Sequence, residues 1–436
     1  MSIKAGIASI SITPPVGVDL TGFGGRRSGC VGIHDDLYAK VLVLTDGRDK
    51  VALVTTDLLG LDSDLVSHIR KWAARALGLP GDRIMLTSSH THSGPATISL
   101  RGLGVRDPGY IEVLTEKIEG IIQEADSNLK PARGGYGRGD VQVGVNRRER
   151  REDGRTVLGI NPKGPIAPYV HTLRIDDIRG ERMATFFSHA AHPVALGGDN
   201  LLVSADYPGY AVRFVEAHGG GTAMFANGCC GNINCKPGGT FQDAEKIGMM
   251  LGREVVKTME QIETRADLSV GSISETVSLP LIDPPDLDEA RATYEENRKA
   301  LQTLKEKGVS GRGTEMAEAM LAWAKDMLAL TEQGVKGRNQ DFEIQIFRIG
   351  DTAVVGLPGE VFVQYELQTE EASPFAHTIV LGYTNGCIGY VPTTADYPYG
   401  GYEVNSAYKL YGTQMIAPES EGIILEKTIR LLRTLK

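Results

Sequence analysis

Arg83-Ile84-Met85-Leu86-Thr87-Ser88-Ser89-His90-Thr91-His92-Ser93-Gly94-Pro95 is an apolar run that ends abruptly in small and polar residues. Five residues suit a strand and are too few for a helix, so 83–87 read as a strand whose C-terminal end delivers two histidines. Upstream, Lys40-Val41-Leu42-Val43-Leu44 and Val51-Ala52-Leu53-Val54-Thr55-Thr56 flank Asp46-Gly47 and read as two strands around a turn. Between this pair and Arg83, residues 62–78 read as a helix, with Asp62 or Ser63 as cap and Gly78 near its end. A further helix is expected from Gly109 to about Ala125. Strand, helix and strand in this order imply an α/β fold: a sheet covered by helices, with ligands taken up at the strand ends.

Further along, 141–145, 171–175 and 183–187 read as strands, Tyr207 to Glu216 and 241–262 as helices, and Asn227-Gly228-Cys229-Cys230-Gly231-Asn232 as a loop of small residues. The composition shifts at about 285. Asp286 to Lys307 and Thr314 to Thr331 are rich in Ala, Glu, Lys, Leu and Met, and Gly308 to Gly313 separate them. This predicts an inserted helical hairpin, 285–334, which is either a solvated excursion or a lid over the substrate. Strands return at 342–349 and 353–355, and a helix runs from about Glu419 to Leu435. No internal repeat or low-complexity linker is evident. The expectation is therefore α/β, with mixed β-sheets and flanking helices in one compact catalytic domain, 1–436, plus the hairpin.

Bulk properties narrow the partners. The 436 residues carry 46 Lys+Arg against 55 Asp+Glu, a net charge of -9 with no basic block, which argues against nucleic acid. No stretch approaches the roughly 20 apolar residues of a membrane span, so no stable membrane insertion is expected. The N-terminal MSIKAGIASISITPP has no long apolar segment and reads as no secretory signal. Five cysteines, an odd number in a long chain, argue against a disulfide framework and for a reduced, cytoplasmic protein.

Four places carry candidate chemistry. His90 and His92, two apart on extended chain, point the same way. They can offer two imidazoles to one metal, one ligand and one catalytic donor, or a hydrogen-bonded structural pair. His192, in His192-Pro193, follows the strand 183–187; His189 is read as packing or supporting it. Asp206 either orients a ligand histidine or caps the helix that follows. Glu360, after Leu357-Pro358-Gly359, would be costly to bury unless paired or metal-bound. Tyr390 can ligate zinc as a phenolate, its unperturbed pKa being about 10. Cys229, Cys230 and Cys235 lack the second Cys pair of a closed zinc site and read as a tight loop.

In order, these pieces resemble the neutral/alkaline (non-lysosomal) ceramidase family, N-terminal catalytic domain. The resemblance rests on Ala5-Gly6-Ile7-Ala8, Ile12-Thr13-Pro14, Gly32-Ile33-His34, Leu37-Tyr38-Ala39, Asp57, His90 to Pro95, Asn146-Arg147, His192-Pro193, Pro358-Gly359-Glu360, Tyr390-Val391 and Thr393-Thr394. It implies a Zn2+ ion held by His90, His192, Glu360 and Tyr390, with His92 and Arg147 facing the substrate. Zinc brings a bound water's pKa to about 7 and polarises a carbonyl. His92 and Arg147 are then the candidates for oxyanion donor and for acid to the leaving amine. Asp57 is either a carboxylate behind the site or a strand cap. Asn234 stands where the family has the serine of its Gly-Asp-Val-Ser-Pro-Asn stretch, and supports the site or the substrate here. A short form without the family's C-terminal immunoglobulin-like domain is expected. The implied activity is a zinc amidohydrolase of linear N-acyl bonds, ceramidase-like, on a small-molecule or lipid-like acyl substrate and placed in lipid metabolism. The alternatives are a zinc esterase, lactonase or carbohydrate deacetylase, and a non-catalytic binder with a degenerate site.

Overall fold

The computed structural model describes residues 2–236 and 238–436. Its largest sheet has eight strands: β1 (Lys4–Ser11), β2 (Tyr38–Thr45), β3 (Lys50–Thr56), β4 (Ile84–Ser88), β5 (Lys130–Asp140), β6 (Tyr169–Asp177), β7 (Arg182–His189) and β8 (Thr222–Asn227). Their spatial order is β8-β7-β6-β5-β1-β2-β3-β4. Only the outer pairs β3–β4 and β7–β8 are parallel. A second sheet runs β9 (Val270–Pro280), β10 (Asn339–Ile349), β11 (Thr352–Gly356), β12 (His377–Leu381), and again its last pair is parallel. The architecture is the expected α/β class with mixed sheets.

Parallel neighbours need a crossover, usually a helix. Three helices supply it: α1 (Ser63–Ala76) between β3 and β4, α3 (Asp206–Ala217) between β7 and β8, and α7 (Val363–Ala372) between β11 and β12. The helices between them are α2 (Pro108–Ser127), α4 (Phe241–Gln261), α5 (Leu287–Glu306) and α6 (Glu315–Glu332). The same unit, an antiparallel hairpin followed by a helix and a parallel strand, thus occurs three times. Each unit ends two parallel strands on the same side. His90 follows β4, His192 follows β7, Glu360 follows β11 and Tyr390 follows β12.

Strands buried on both faces read as continuous apolar runs. Val41 and Val43 of β2 pack with Ile69, Leu114 and Ile118 of α1 and α2, while Leu42 and Leu44 pack with Phe347, Val354 and Ile379 of the second sheet. The C-terminal helix Ser420–Leu435 covers the far side with Leu431 and Leu432. The eight-stranded sheet bends until its edges meet, and Asn227 Nδ2 at the end of β8 donates to Ser89 O beyond β4 at 2.9 Å.

One expectation is corrected. The strand placed at 141–145 lies earlier, at Lys130–Asp140, and Gly144–Asn146 pairs instead with Ile233–Cys235. The β5 sequence Lys-Pro-Ala-Arg-Gly-Gly-Tyr-Gly-Arg-Gly-Asp does not resemble a strand because three successive positions of one face, 135, 137 and 139, are glycine. A Cβ at Gly135 would lie 2.4 Å from Glu263 O, and one at Gly139 2.1 Å from Thr258 Oγ1. The glycines let α4 and the residues after it sit directly on the strand backbone.

Helix α5 packs on α6, and α6 with the turn before it lies against the loops at the strand ends. Trp323 Nε1 donates to Thr413 O at 2.9 Å, Arg101 pairs with Asp326 at 2.7 Å, and Arg312 with Asp19 at 2.5 Å.

Candidate metal centre

Beyond β4 the chain turns sharply, with His90 in the left-handed region at φ 66°. That conformation is uncommon for a residue with a Cβ. Here His90 N–H is bonded to Leu58 O at 2.8 Å, and its Nδ1 lies 2.6 Å from Leu59 O. Donation from Nδ1 leaves the Nε2 lone pair facing inward. His192 repeats this arrangement, with Nδ1 2.6 Å from Cys230 O and Nε2 turned to the same space. A backbone carbonyl fixing the tautomer of an inward imidazole is the usual support of a metal ligand.

Glu360 completes the centre. Its Oε1 accepts the Tyr411 hydroxyl at 2.6 Å, which leaves Oε2 facing the histidines, 3.0 Å from His192 Nε2 and 3.5 Å from His90 Nε2. With Nδ1 donating, His192 Nε2 and Glu360 Oε2 are both acceptors. Two facing lone pairs at 3.0 Å need a proton or a cation between them. Burial pushes His192 down to about 4, so the proton is disfavoured. The residues present therefore fit a cation. All three side chains are buried, at 1% exposure for His90, 0% for His192 and 4% for Glu360.

His92 supplies a third imidazole. The possible ligand nitrogens of His90, His92 and His192 lie within 4.8 Å of one another. Both His92 ring nitrogens are buried with no hydrogen-bond partner among the described residues, as is His90 Nε2. Burial, then the neighbouring histidines, hold His92 well below its ordinary pKa and so neutral. Its ring packs edge-on to Phe23 at 4.9 Å, and a Cβ at Gly22 would come within 2.5 Å of its Nδ1.

Arg147 joins the remaining residues. Its Nη2 donates to the Tyr390 hydroxyl at 2.8 Å, its Nη1 to Asn234 Oδ1 at 3.1 Å, and its Nε to Glu403 Oε1 at 2.8 Å. Nη1 lies 3.4 Å from His192 Nε2. Burial opposes its charge, but Tyr390, Glu403 and Glu360 outweigh this and hold it well above its usual pKa. Burial raises the Tyr390 hydroxyl well above its ordinary value despite the Arg147 guanidinium beside it, so a metal ion as well would be needed to make it a phenolate.

The structure thus brings His90, His92, His192 and Glu360 together, with Tyr390 and Asn234 attached through Arg147. Asp57 lies apart. Its carboxylate accepts Tyr38 N–H at 2.9 Å, and its charged neighbours are Lys40, Asp35 and Arg213. Asp206 takes neither expected position. Ala205 is the cap residue, and the Asp206 carboxylate accepts Leu196 N–H at 3.0 Å and Tyr207 N–H at 2.6 Å. It holds the loop after His192 rather than the imidazole itself. Glu403 and Tyr411 were missed in the sequence. Both lie within 393–413, where five tyrosines surround Asp396 and Glu403, and that density was the available clue.

A cavity of about 420 Å³ opens onto His92, Arg147 and Tyr390. Its other walls are mostly apolar and include Phe23, Leu103, Leu158, Met316 and Met320, the two methionines coming from α6.

The family model described as neutral/alkaline non-lysosomal ceramidase, N-terminal, matches residues 3–229, just over half of the chain. The chain belongs to this family. It is similar to the neutral ceramidase of Pseudomonas aeruginosa, 24% identical over 461 residues that cover 91% of this chain and 67% of that protein. The neutral ceramidase of Drosophila melanogaster is 26% identical over 233 residues, which is 49% of this chain and 32% of the relative. Among solved structures, the neutral ceramidase from Pseudomonas aeruginosa aligns with TM-score 0.74 at 20% identity, covering 99% of this chain and 74% of that one. A structure titled ceramidase complexed with C2 aligns with TM-score 0.76 at 19% identity, covering 99% and 75%. At such identities the structural likeness speaks for the fold.

Proposed function

We propose that the chain is a zinc-dependent hydrolase of N-acyl amide bonds, with His90, His192, Glu360 and Tyr390 as ligands. One observation carries the reading: the lone pairs of His192 Nε2 and Glu360 Oε2 face each other at 3.0 Å in a buried pocket. Nitrogen and carboxylate donors suit zinc. When bound, such an ion polarises a carbonyl and brings the pKa of water to near 7.

The chain's own residues do the rest. Arg147, held by Glu403, presents buried N–H donors beside the cavity, where an oxyanion would develop. His92 is kept neutral by burial and has a free acceptor nitrogen. It takes the proton of the attacking water and returns it to the leaving nitrogen. The apolar walls of the cavity, Met316 and Met320 among them, receive the acyl chain and exclude water. The relatives named neutral ceramidase support an amide as the bond attacked.

The test is elemental analysis of the purified chain, then chelation, then a panel of N-acyl amides of graded acyl length with the matching esters and lactones. Amide hydrolysis that disappears on chelation and returns with Zn2+ is expected. Turnover of esters or lactones alone, or turnover untouched by a chelator, would overturn the proposal.

A further inference from the structure

A second polar cluster lies behind the loop that carries Cys229 and Cys230. Glu366 and Glu370 stand one turn apart on α7, so their carboxylates share a face. His171 Nε2 of β6 is 3.0 Å from Glu370 Oε1, and the Tyr136 hydroxyl is 2.8 Å from His171 Nδ1. Tyr169 donates its hydroxyl to Glu370 at 3.1 Å. Among the described residues, Glu366 has a single partner, the Cys229 N–H at 2.9 Å from its Oε2. Glu366 and His171 are each 2% exposed.

The charges do not balance. The nearest cation is Arg138, half exposed, with its guanidinium 3.8 Å from Glu370 and no contact to Glu366 among the described residues. Burying the Glu366 carboxylate beside that of Glu370, which is itself only part-buried, is costly unless something positive lies between them. One donor atom from each of His171, Glu366 and Glu370 lies within 4.8 Å of the others. That separation is about twice a metal–ligand bond of roughly 2.1–2.4 Å. Ser188 gives an independent indication. It is the antiparallel partner of His171 across β6 and β7, so its side chain stands beside the imidazole on the same face. Its hydroxyl is buried, 1% exposed, with no hydrogen-bond partner among the described residues.

The geometry points to a second metal site, a divalent ion of the zinc–manganese class held by His171, Glu366 and Glu370 with Ser188 facing the same space. An imidazole beside two carboxylates favours such ions over calcium or magnesium. With an ion on Nε2, His171 Nδ1 carries the ring proton, and the Tyr136 hydroxyl at 2.8 Å is placed to accept it. The site is structural. Glu366 also holds the Cys229 N–H, and the carbonyl of the following residue, Cys230 O, is the one that accepts His192 Nδ1. An ion there joins α7, β6 and the loop that orients His192.

The test uses the full chain, stripped of metal and titrated with Zn2+. The variant His90→Ala/His192→Ala, which lacks the catalytic ligands, is expected to bind one equivalent, and the unmodified chain two. Adding Glu366→Gln and Glu370→Gln to that variant is expected to abolish uptake while the circular dichroism is unchanged. No uptake by His90→Ala/His192→Ala, or uptake indifferent to the two glutamines, overturns the proposal and leaves the carboxylates sharing a proton. One equivalent in both the unmodified chain and the histidine variant would support this site and sink the catalytic one. Should the fourfold variant not fold, Co2+ added to His90→Ala/His192→Ala decides. The visible absorption of a nitrogen–oxygen site is expected, and a featureless spectrum overturns the assignment.

Discussion

Glu403→Gln tests whether Arg147 works in the reaction or only packs. Glu403 is 1% exposed, and its two oxygens serve two arginines, Arg147 Nε at 2.8 Å and Arg148 Nη1 at 2.6 Å. Arg148 has a second anion in Asp396 at 3.1 Å, whereas among the described residues Arg147 otherwise contacts only the neutral groups of His192, Asn234 and Tyr390 beside the metal pocket. Glutamine keeps the shape but offers one acceptor, and its NH2 faces a guanidinium. Breaking a buried ion pair costs about 3–5 kcal/mol. The retained acceptor puts this case at the low end, about 3 kcal/mol of stability. A hydrogen bond to a charged group is worth about 1.5–3 kcal/mol. If Arg147 meets charge that develops in the transition state, losing its anchor lowers kcat/KM by roughly 10–150-fold, with most of the loss in kcat. The assay is steady-state hydrolysis of the best amide, with urea unfolding followed in parallel. A variant destabilised by this amount that keeps kcat within twofold would show that Arg147 has no part in the chemistry.

Four further outcomes are expected. His90→Ala and Glu360→Ala each abolish turnover and lower the bound metal while the circular dichroism is retained; full activity in either refutes the centre. Tyr411→Phe removes the hydroxyl on Glu360 Oε1 and frees that carboxylate to rotate. Metal affinity is expected to fall by roughly 10–100-fold, as for other partners of metal ligands, and an unchanged titration rejects this. Met316→Ser/Met320→Ser removes two apolar walls, at about 1–2 kcal/mol each. Its kcat/KM is expected to fall by roughly 30- to 1000-fold on long acyl amides and hardly at all on the acetyl amide; equal losses on both would take α6 out of substrate contact. Asp206, wholly buried, has its carboxyl pushed up to about 6 by burial, against about 3.9 in the unfolded chain. The folded state then holds the proton more tightly. The stabilisation is complete below pH 4 and lost as pH rises through 6, about 3 kcal/mol in all. The stability difference between the native chain and Asp206→Asn should shrink by that amount from pH 3 to pH 8, and a flat difference would mean Asp206 is ionised throughout.

What the sequence revealed depended on whether each residue's reason for being there is local. His90 and His92 were legible because an apolar strand ends beside them, and Glu360 because an acid after Leu-Pro-Gly is out of place in a core. Glu403, Tyr411 and the Gly-rich β5 were not, since each serves something distant: Arg147, Glu360 and the backbone of α4. The recurring unit was also hidden. β2-β3-α1-β4, β6-β7-α3-β8 and β10-β11-α7-β12 share pairing and no visible sequence period.

That unit explains why ligands so far apart in the chain can meet. A parallel pair with a helical crossover ends both strands on one side, so each copy offers two strand ends to the same region. His90 leaves the first copy, His192 the second, and Glu360 the third. The ends cannot be stabilised by ladder bonds, because the strands stop there. Side chains therefore bond the backbone around them: Asn227 donates to Ser89 O just beyond β4, Asn232 Oδ1 accepts the Val363 N–H that opens α7, and Asn385 Oδ1 accepts Leu86 N–H on the outer edge of β4. The carbonyls left over, Leu59 O and Cys230 O, are the ones that orient His90 and His192. The orientation of the inward nitrogens is thus set by backbone that the three-unit fold has already fixed. It follows that substituting Asn227, which touches no candidate ligand, should weaken metal binding along with stability. Asn227→Ala removes the bond to Ser89 O and a second to Ala191 O, on the residues immediately before His90 and His192. An Asn227→Ala variant with unaltered metal affinity would show that the ligand geometry does not depend on this contact between sheet edges.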